Sequence, residues 1–151
     1  MSQTLRESGI PSHLLELEVT EGVFLGDSAV HVASVLRKLS DAGVRIALDD
    51  FGTGYASLTH LKQFPVHVIK IDRSFVSSVT ISQEDRAIVR TIIDLGKSMS
   101  IEVVAEGIEN EAQLAFVKQA GCHVGQGYLF GKAMSATDIE ARYLQAPQSV
   151  G

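Results

Sequence analysis

Apolar runs of strand length alternate with longer amphipathic stretches along this chain, in a β, α order repeated five times. That order predicts parallel strands joined by helical crossovers. Strands are predicted at 14–19, 44–48, 66–71, 101–105 and, shorter, at 123–125, each ending in polar or glycine-rich sequence. Val32, Val35, Leu36 and Leu39 fall at i, i+3, i+4, i+7 and predict a helix over about 29–39, capped by Asp27 or Ser28 and stopped by Gly43. Ser82 with Asp85, Asn110 with Gln113 and Ser135 with Asp138 have the spacing of side-chain caps and open three further helices. A short helix over 57–64 ends at Pro65. No linker, low-complexity run or internal repeat divides the chain, and residues 145–151 read as a frayed tail.

Successive side chains on a strand face opposite sides, so the parity of each charged residue says where it points. Leu14, Glu16 and Glu18 share one face of the first strand, with Leu15, Leu17 and Val19 on the other. Arg45, Ala47 and Asp49 oppose Ile46 and Leu48; Val66, Val68 and Lys70 oppose Ile69 and Ile71; Glu102, Val104 and Glu106 oppose Val103 and Ala105. Each of these strands has one apolar face suited to helices and one face that turns polar at its C-terminal end. Glu18, Asp49, Lys70 and Glu106 stand at that end, one per strand, where barrel and open α/β enzymes keep their chemistry. Charges gathered in a dry interior are costly unless paired or liganded, so the pattern asks for a metal ion or an anionic ligand. The same register puts Arg45 and Glu102 on the inward face, four residues before Asp49 and Glu106, and predicts an ion pair or shared polar network at the floor of the sheet.

Asp49-Asp50, followed by Phe51-Gly52-Thr53-Gly54, is the sharpest local feature. Asp and Gly are ordinary turn residues, so the hexapeptide by itself reads first as a surface turn. With Glu18 and Glu106 on the same face it reads instead as paired carboxylates for hard divalent cations, beside glycines that let backbone approach a ligand. Lys70 is either the partner of an interior carboxylate or a cation that orients or deprotonates water and steadies phosphate charge. Gln126 is either a loop amide or a polar ligand contact.

Composition narrows the class. At 151 residues and 45% hydrophobic content the chain can build one core without staples. Its single cysteine, Cys122, excludes a disulfide scaffold and agrees with a reducing compartment. A net charge of -5 without a Lys/Arg cluster argues against a nucleic acid polymer as partner. No apolar stretch approaches the ~20 residues of a membrane span, and Met1-Ser2-Gln3-Thr4 is too polar a start for a signal peptide.

Five blocks in order resemble the EAL domain family, bacterial phosphodiesterases and sensors specific for cyclic di-GMP. Leu17-Glu18-Val19-Thr20-Glu21 is similar to the family's Glu-x-Thr-Glu segment, and Asp49-Asp50-Phe51-Gly52-Thr53-Gly54-Tyr55 to its paired-aspartate loop. Residues 65–75, with Lys70-Ile71-Asp72, resemble the third block; Ala105-Glu106-Gly107-Ile108-Glu109 and Gln126-Gly127-Tyr128-Leu129-Phe130-Gly131 resemble the last two. The likeness runs from about Leu5 to Leu144. It implies that Glu18 and Asp49 ligate one metal, that Asp49 and Asp50 serve a second, and that Lys70 contacts the attacking water. Glu106 completes the catalytic floor, Gln126 adds polar support and a substrate contact, and Glu21 and Glu109 are supporting residues, Glu21 bracing the loop after Asp50. In the family, two Mg2+ or Mn2+ ions activate a water that opens cyclic di-GMP to linear pGpG.

Departures from the family matter as much. The Glu-Ala-Leu tripeptide, with its metal-binding Glu, and a metal-binding Asn of a later strand do not occur in these 151 residues; both would lie before Met1. A complete barrel of this type needs about 250 residues. The expected fold class is therefore α/β, an incomplete TIM-type (β/α) barrel of about five parallel strands. Residues 1–8 resemble the tail of a family helix, and the whole chain is expected to be the C-terminal part of a single domain. Ala56 stands where a Ser is usual, and Lys132-Ala133 where Arg-Pro is usual. Three readings follow: a phosphodiesterase domain whose chain by itself is inactive, a cyclic di-GMP-binding regulatory module, or a dimerising fragment with no ligand. The expected setting is the bacterial cytoplasm, alone or within a larger sensory protein. Two free sheet edges and an uncovered concave face carrying Val66, Val68 and Val104 predict a homo-oligomer. The expected form is a two-fold dimer across the open side, with the loop after Asp50 as a second candidate contact.

Overall fold

A computed structural model describes residues 7, 9–24, 29–54 and 58–144. Five strands, β1 (Glu16–Thr20), β2 (Arg45–Phe51), β3 (Val68–Ile71), β4 (Glu102–Ala105) and β5 (Val124–Gly125), form one sheet in the order β1-β2-β3-β4-β5. Every neighbouring pair is parallel. Each new strand joins beside its predecessor, as in a (β/α) barrel, but among the described residues the sheet does not close and β1 and β5 remain its edges.

The helices are α1 (Ala29–Asp41), α2 (Leu58–Gln63), α3 (Arg73–Ser78), α4 (Gln83–Met99), α5 (Glu111–Gln119) and α6 (Ala136–Ile139), the last running into a π-type turn at Glu140–Leu144. The anticipated caps hold α4, α5 and α6: the Ser82, Asn110 and Ser135 side chains accept from the backbone N–H of Asp85, Gln113 and Asp138. Gln113 answers Asn110 reciprocally, a complete capping box. Gly43 ends the turn after α1 with φ +89. Asp27 and Ser28, the N-terminal helix tail at 1–8 apart from Glu7, and the tail at 145–151 lie outside the described residues. Helix α3 was not foreseen, because its six residues are too few to show a period; its signal is Asp72, whose carboxylate accepts from Ser74 N–H at 2.9 Å.

The outer face of the sheet carries the main core. Ile46, Leu48, Ile69, Ile71, Val103 and Ala105 pack with Leu36, Leu61, Val76, Val89, Ile93 and Val117 of the helices. The concave face carries a small second cluster of Ala47, Val68 and Val104. Val66, Val68 and Val104 are expected from the sequence to be uncovered on this face, yet Val68 is 0% and Val104 8% exposed, and Val66 is half-buried against the main core instead. The reason lies above and below them. Arg45 pairs with Glu102 at 2.6 Å and with Glu16 at 3.3 Å, the floor network anticipated from parity. At the other end Lys70 gathers its carboxylates. The strand register sets this small apolar layer between the two polar networks.

Gly96 sets the spacing between α4 and β4. A methyl group there would intrude on Val103 Cγ2 and lie 3.0 Å from the Ile101 carbonyl oxygen. Gly96→Ala is therefore expected to lower stability by about 1–3 kcal/mol despite its better helix propensity, read as a fall in urea midpoint. An unchanged or raised midpoint would show that the helix can lift off the strand without cost.

Candidate active site

Lys70 is the centre of the polar end of the sheet. Its side chain is buried on β3, and its Nζ lies 2.5 Å from Glu18 Oε1 on β1, 2.7 Å from Glu106 Oε1 after β4 and 3.7 Å from Asp49 Oδ1 on β2. Burial pulls the Lys70 pKa down, but hydrogen bonds to Glu106 and Glu18 and the charges of Glu106 and Asp49 outweigh it, and the net shift is upward. The four residues singled out by parity thus meet at one place.

Asp50 reaches the same place by a different device. Strict alternation would send it to the face opposite Asp49. Between Leu48 and Phe51 the register of β2 on β3 slips: Leu48 pairs with Ile69 and Phe51 with Ile71, so β2 spends one residue more than its partner. Asp50 occupies this bulge with φ +54, a left-handed conformation uncommon for a non-glycine residue. Consequently Asp49, Asp50 and Glu106 each bring a carboxylate oxygen within 4.8 Å of the others. Burial, followed by the charge of Asp49 and a hydrogen bond with Asp72, raises the Asp50 pKa. Burial also opposes ionisation of Asp72, but hydrogen bonds from the Ser74 hydroxyl and backbone N–H and from Asp50 leave its pKa lowered.

Glu21 braces the loop that follows. Its Oε1 accepts from Gly52 N–H at 2.8 Å, and a Cβ on Gly54 would lie 2.5 Å from its Oε2. Gly52 itself has φ +102. Gln126 is tied through its backbone, donating to Ala105 and accepting from Ile108, and it lines an open cavity of about 740 Å³ that Glu18 and Lys70 also line. Glu109 stands apart: its side chain is exposed, and its backbone N–H enters the α5 cap by donating to Gln113 Oε1 at 2.7 Å. Asp72 was given no role from sequence, although it shares Lys70's parity one step beyond β3.

The donor set fits a hard divalent cation. Asp49 Oδ1 is buried with no hydrogen-bond partner, and its neighbours in the group are carboxylate oxygens, the ligands such ions prefer. Glu18 lies outside this group and is held by Lys70.

The EAL domain model matches residues 1–133. The chain belongs to the EAL domain family. Among its EAL relatives, the bifunctional diguanylate cyclase/cyclic di-GMP phosphodiesterase MucR of Pseudomonas aeruginosa is 44% identical over 137 residues, which is 91% of this chain and 20% of MucR. The signaling protein YkoW of Bacillus subtilis is 38% identical over 147 residues, 97% of this chain and 18% of YkoW. The chain thus spans about a fifth of the length of these relatives. The solved MucR phosphodiesterase complex with c-di-GMP superposes with TM-score 0.86 at 40% identity, covering 91% of this chain and 56% of that one. The manganese/c-di-GMP complex of Klebsiella pneumoniae BlrP1 at pH 6 gives TM-score 0.79 at 32% identity, covering 86% and 33%. These EAL structures match the five-stranded sheet, an incomplete TIM-type barrel in this chain.

Lys70→Met is expected to cost about 1–3 kcal/mol at neutral pH by leaving partly buried carboxylates without their cation. The folded ammonium holds its proton more tightly than the unfolded one, so its contribution is complete below about pH 10.4 and drains away as pH rises through the folded value. The gap in urea midpoint between wild type and Lys70→Met should therefore narrow at alkaline pH. A gap that stays constant there would show that these carboxylates do not hold Lys70.

Proposed function

We propose that this chain forms the cyclic di-GMP-recognising C-terminal part of an EAL phosphodiesterase site, and that the 151 residues by themselves turn the nucleotide over only near background. The carrying observation is the convergence of Asp49, Asp50 and Glu106 beside the Lys70 ion network, at the C-terminal ends of parallel strands. Mg2+ or Mn2+ bound by these three carboxylates would neutralise phosphoryl charge and make water more acidic. Lys70 uses two of its three N–H donors on Glu18 and Glu106, leaving one to orient a water towards Asp49. Glu21 keeps the Asp50 loop in place, and Gln126 offers an amide to the ligand. A second ion shared by Glu18 and Asp49 requires Glu18 to leave Lys70, and this supports the reading of low activity. The alternative, a regulatory module that binds cyclic di-GMP without cleaving it, draws on the same engagement of Glu18.

Purified chain with Mn2+ and cyclic di-GMP should release pGpG at a rate indistinguishable from Asp49→Asn, while Mn2+ raises the melting temperature of wild type and not of Asp49→Asn. Turnover that Asp49→Asn abolishes would overturn the claim of inactivity. Absence of any Mn2+ effect on melting would overturn the cation site.

The chain is also proposed to self-associate. Val30 and Leu58 are 82% and 59% exposed on either side of the segment that carries the Asp50 loop, and Val30 lines an outer groove of about 610 Å³ between α1 and α2. Sedimentation at micromolar concentration should give a dimer that Leu58→Glu converts to monomer; a well-folded wild-type monomer would refute this contact.

A further inference from the structure

Two of the carboxylates that converge at the polar end of the sheet are claimed twice. Asp49, Asp50 and Glu106 bring their oxygens close enough together to hold one divalent cation. Glu106 Oε1 is at the same time 2.7 Å from Lys70 Nζ, and Asp49 Oδ1, buried and without a hydrogen bond, is 3.7 Å from it. A cation among these carboxylates would approach the Lys70 charge across two of its own ligands, where shielding by water is weak and like charges repel strongly. Losing a proton does not resolve the conflict, because the surrounding carboxylates keep Lys70 charged at neutral pH. Movement resolves it in one direction. Below the ammonium lies the apolar layer of Ala47, Val68 and Val104, with Val104 directly beside Lys70 on the next strand. Of its three acceptors, Asp49 and Glu106 are 23% and 18% exposed, whereas Glu18 is 50% exposed and has room to follow a displaced ammonium. Glu18 and Lys70 both line the open cavity above.

We propose that Lys70 and the divalent cation compete for Glu106 and Asp49, so that ion binding moves the ammonium off these carboxylates, onto Glu18 and towards the cavity. The proposal rests on the cation site read above and adds the regulation of that site. Lys70 lowers the affinity for the ion, and by reciprocity the ion loosens Lys70 by the same factor. Asp49 belongs to β2 and Glu106 follows β4, so the ion takes over a cross-strand link that the ammonium otherwise supplies. The displaced Lys70 keeps one donor on Glu18 and turns the others to the cavity. Ion binding thus converts a structural lysine into an accessible one.

The test is calorimetric titration of the full chain with Mn2+ at neutral pH and physiological salt, without nucleotide. Lys70→Met is expected to bind Mn2+ about tenfold more tightly than wild type. Asp49→Asn added to that variant should remove the gain. Lys62→Met takes the same charge from the exposed side of α2, where salt screens it, and should leave the affinity unchanged. Equal or weaker binding by Lys70→Met, a gain that survives Asp49→Asn, or an equal gain in Lys62→Met would each overturn the competition. No Mn2+ binding by wild type or by any folded variant, with the fold intact by circular dichroism, would instead overturn the cation site and the competition with it. If Lys70→Met does not fold, wild type decides. Its Lys70 ammonium protons should give a slowly exchanging signal in 15N-correlated spectra, assigned by its loss in Lys70→Arg, and should exchange faster once Mg2+ saturates the chain. A signal missing before Mg2+ is added, or exchange that stays the same or slows, would refute the displacement of Lys70.

Discussion

One buried ammonium organises the upper half of this molecule. Lys70 contacts carboxylates from β1, from β2 and from the end of β4, so a single charge links its own strand to both neighbours and to the next strand beyond. Removing such a charge from water is costly, and the expense is recovered only when several well-placed acceptors surround it. Three carboxylates around one ammonium, with Asp50 beside two of them, nevertheless leave an excess of negative charge. The Asp49 oxygen without a hydrogen bond and the raised pKa of Asp50 are two expressions of that excess, and a divalent cation would relieve both.

The bulge in β2 is the second constraint, and it is what turns two adjacent aspartates into a site. A regular strand would place Asp49 and Asp50 on opposite faces. One additional residue and a left-handed φ at Asp50 return its carboxylate to the same side, and the loop beyond is then held by Glu21 through Gly52. The left-handed φ thus lies within the carboxylate group, and Glu21 holds the loop beyond it.

Much of this was legible in the sequence, for a physical reason. Period two is strict on a strand, so Glu18, Asp49, Lys70 and Glu106 could be assigned to one face, and Arg45 with Glu102 to the floor below, without coordinates. Side-chain caps at Ser82, Asn110 and Ser135 were equally readable, because each depends on one residue and its third neighbour. What parity cannot express is a break in parity, and the position of Asp50 depended on one. Nor could it show that Lys70 would hold Glu18 and leave Asp49, Asp50 and Glu106 as the group suited to a cation, since that is settled by distances across strands. Strand number alone does not reveal that Val68 and Val104 are buried in the layer between the Arg45 and Lys70 networks. Asp72 was within reach of the same parity argument, one residue past the strand.

The strand order of this sheet has a consequence for how the chain folds. Among the described residues every strand pairs only with the strands immediately before and after it along the polypeptide, and no pairing joins the two edge strands. Loop closure for each pairing spans one connection of one or two helices, and because closure entropy grows only slowly with loop length, the entropy lost at every step is modest. Such a topology has low contact order for a parallel sheet and can assemble by accretion, one β-α unit docking on the last. Adding or removing a unit at either edge leaves the remaining pairings unaltered, in the manner of a solenoid.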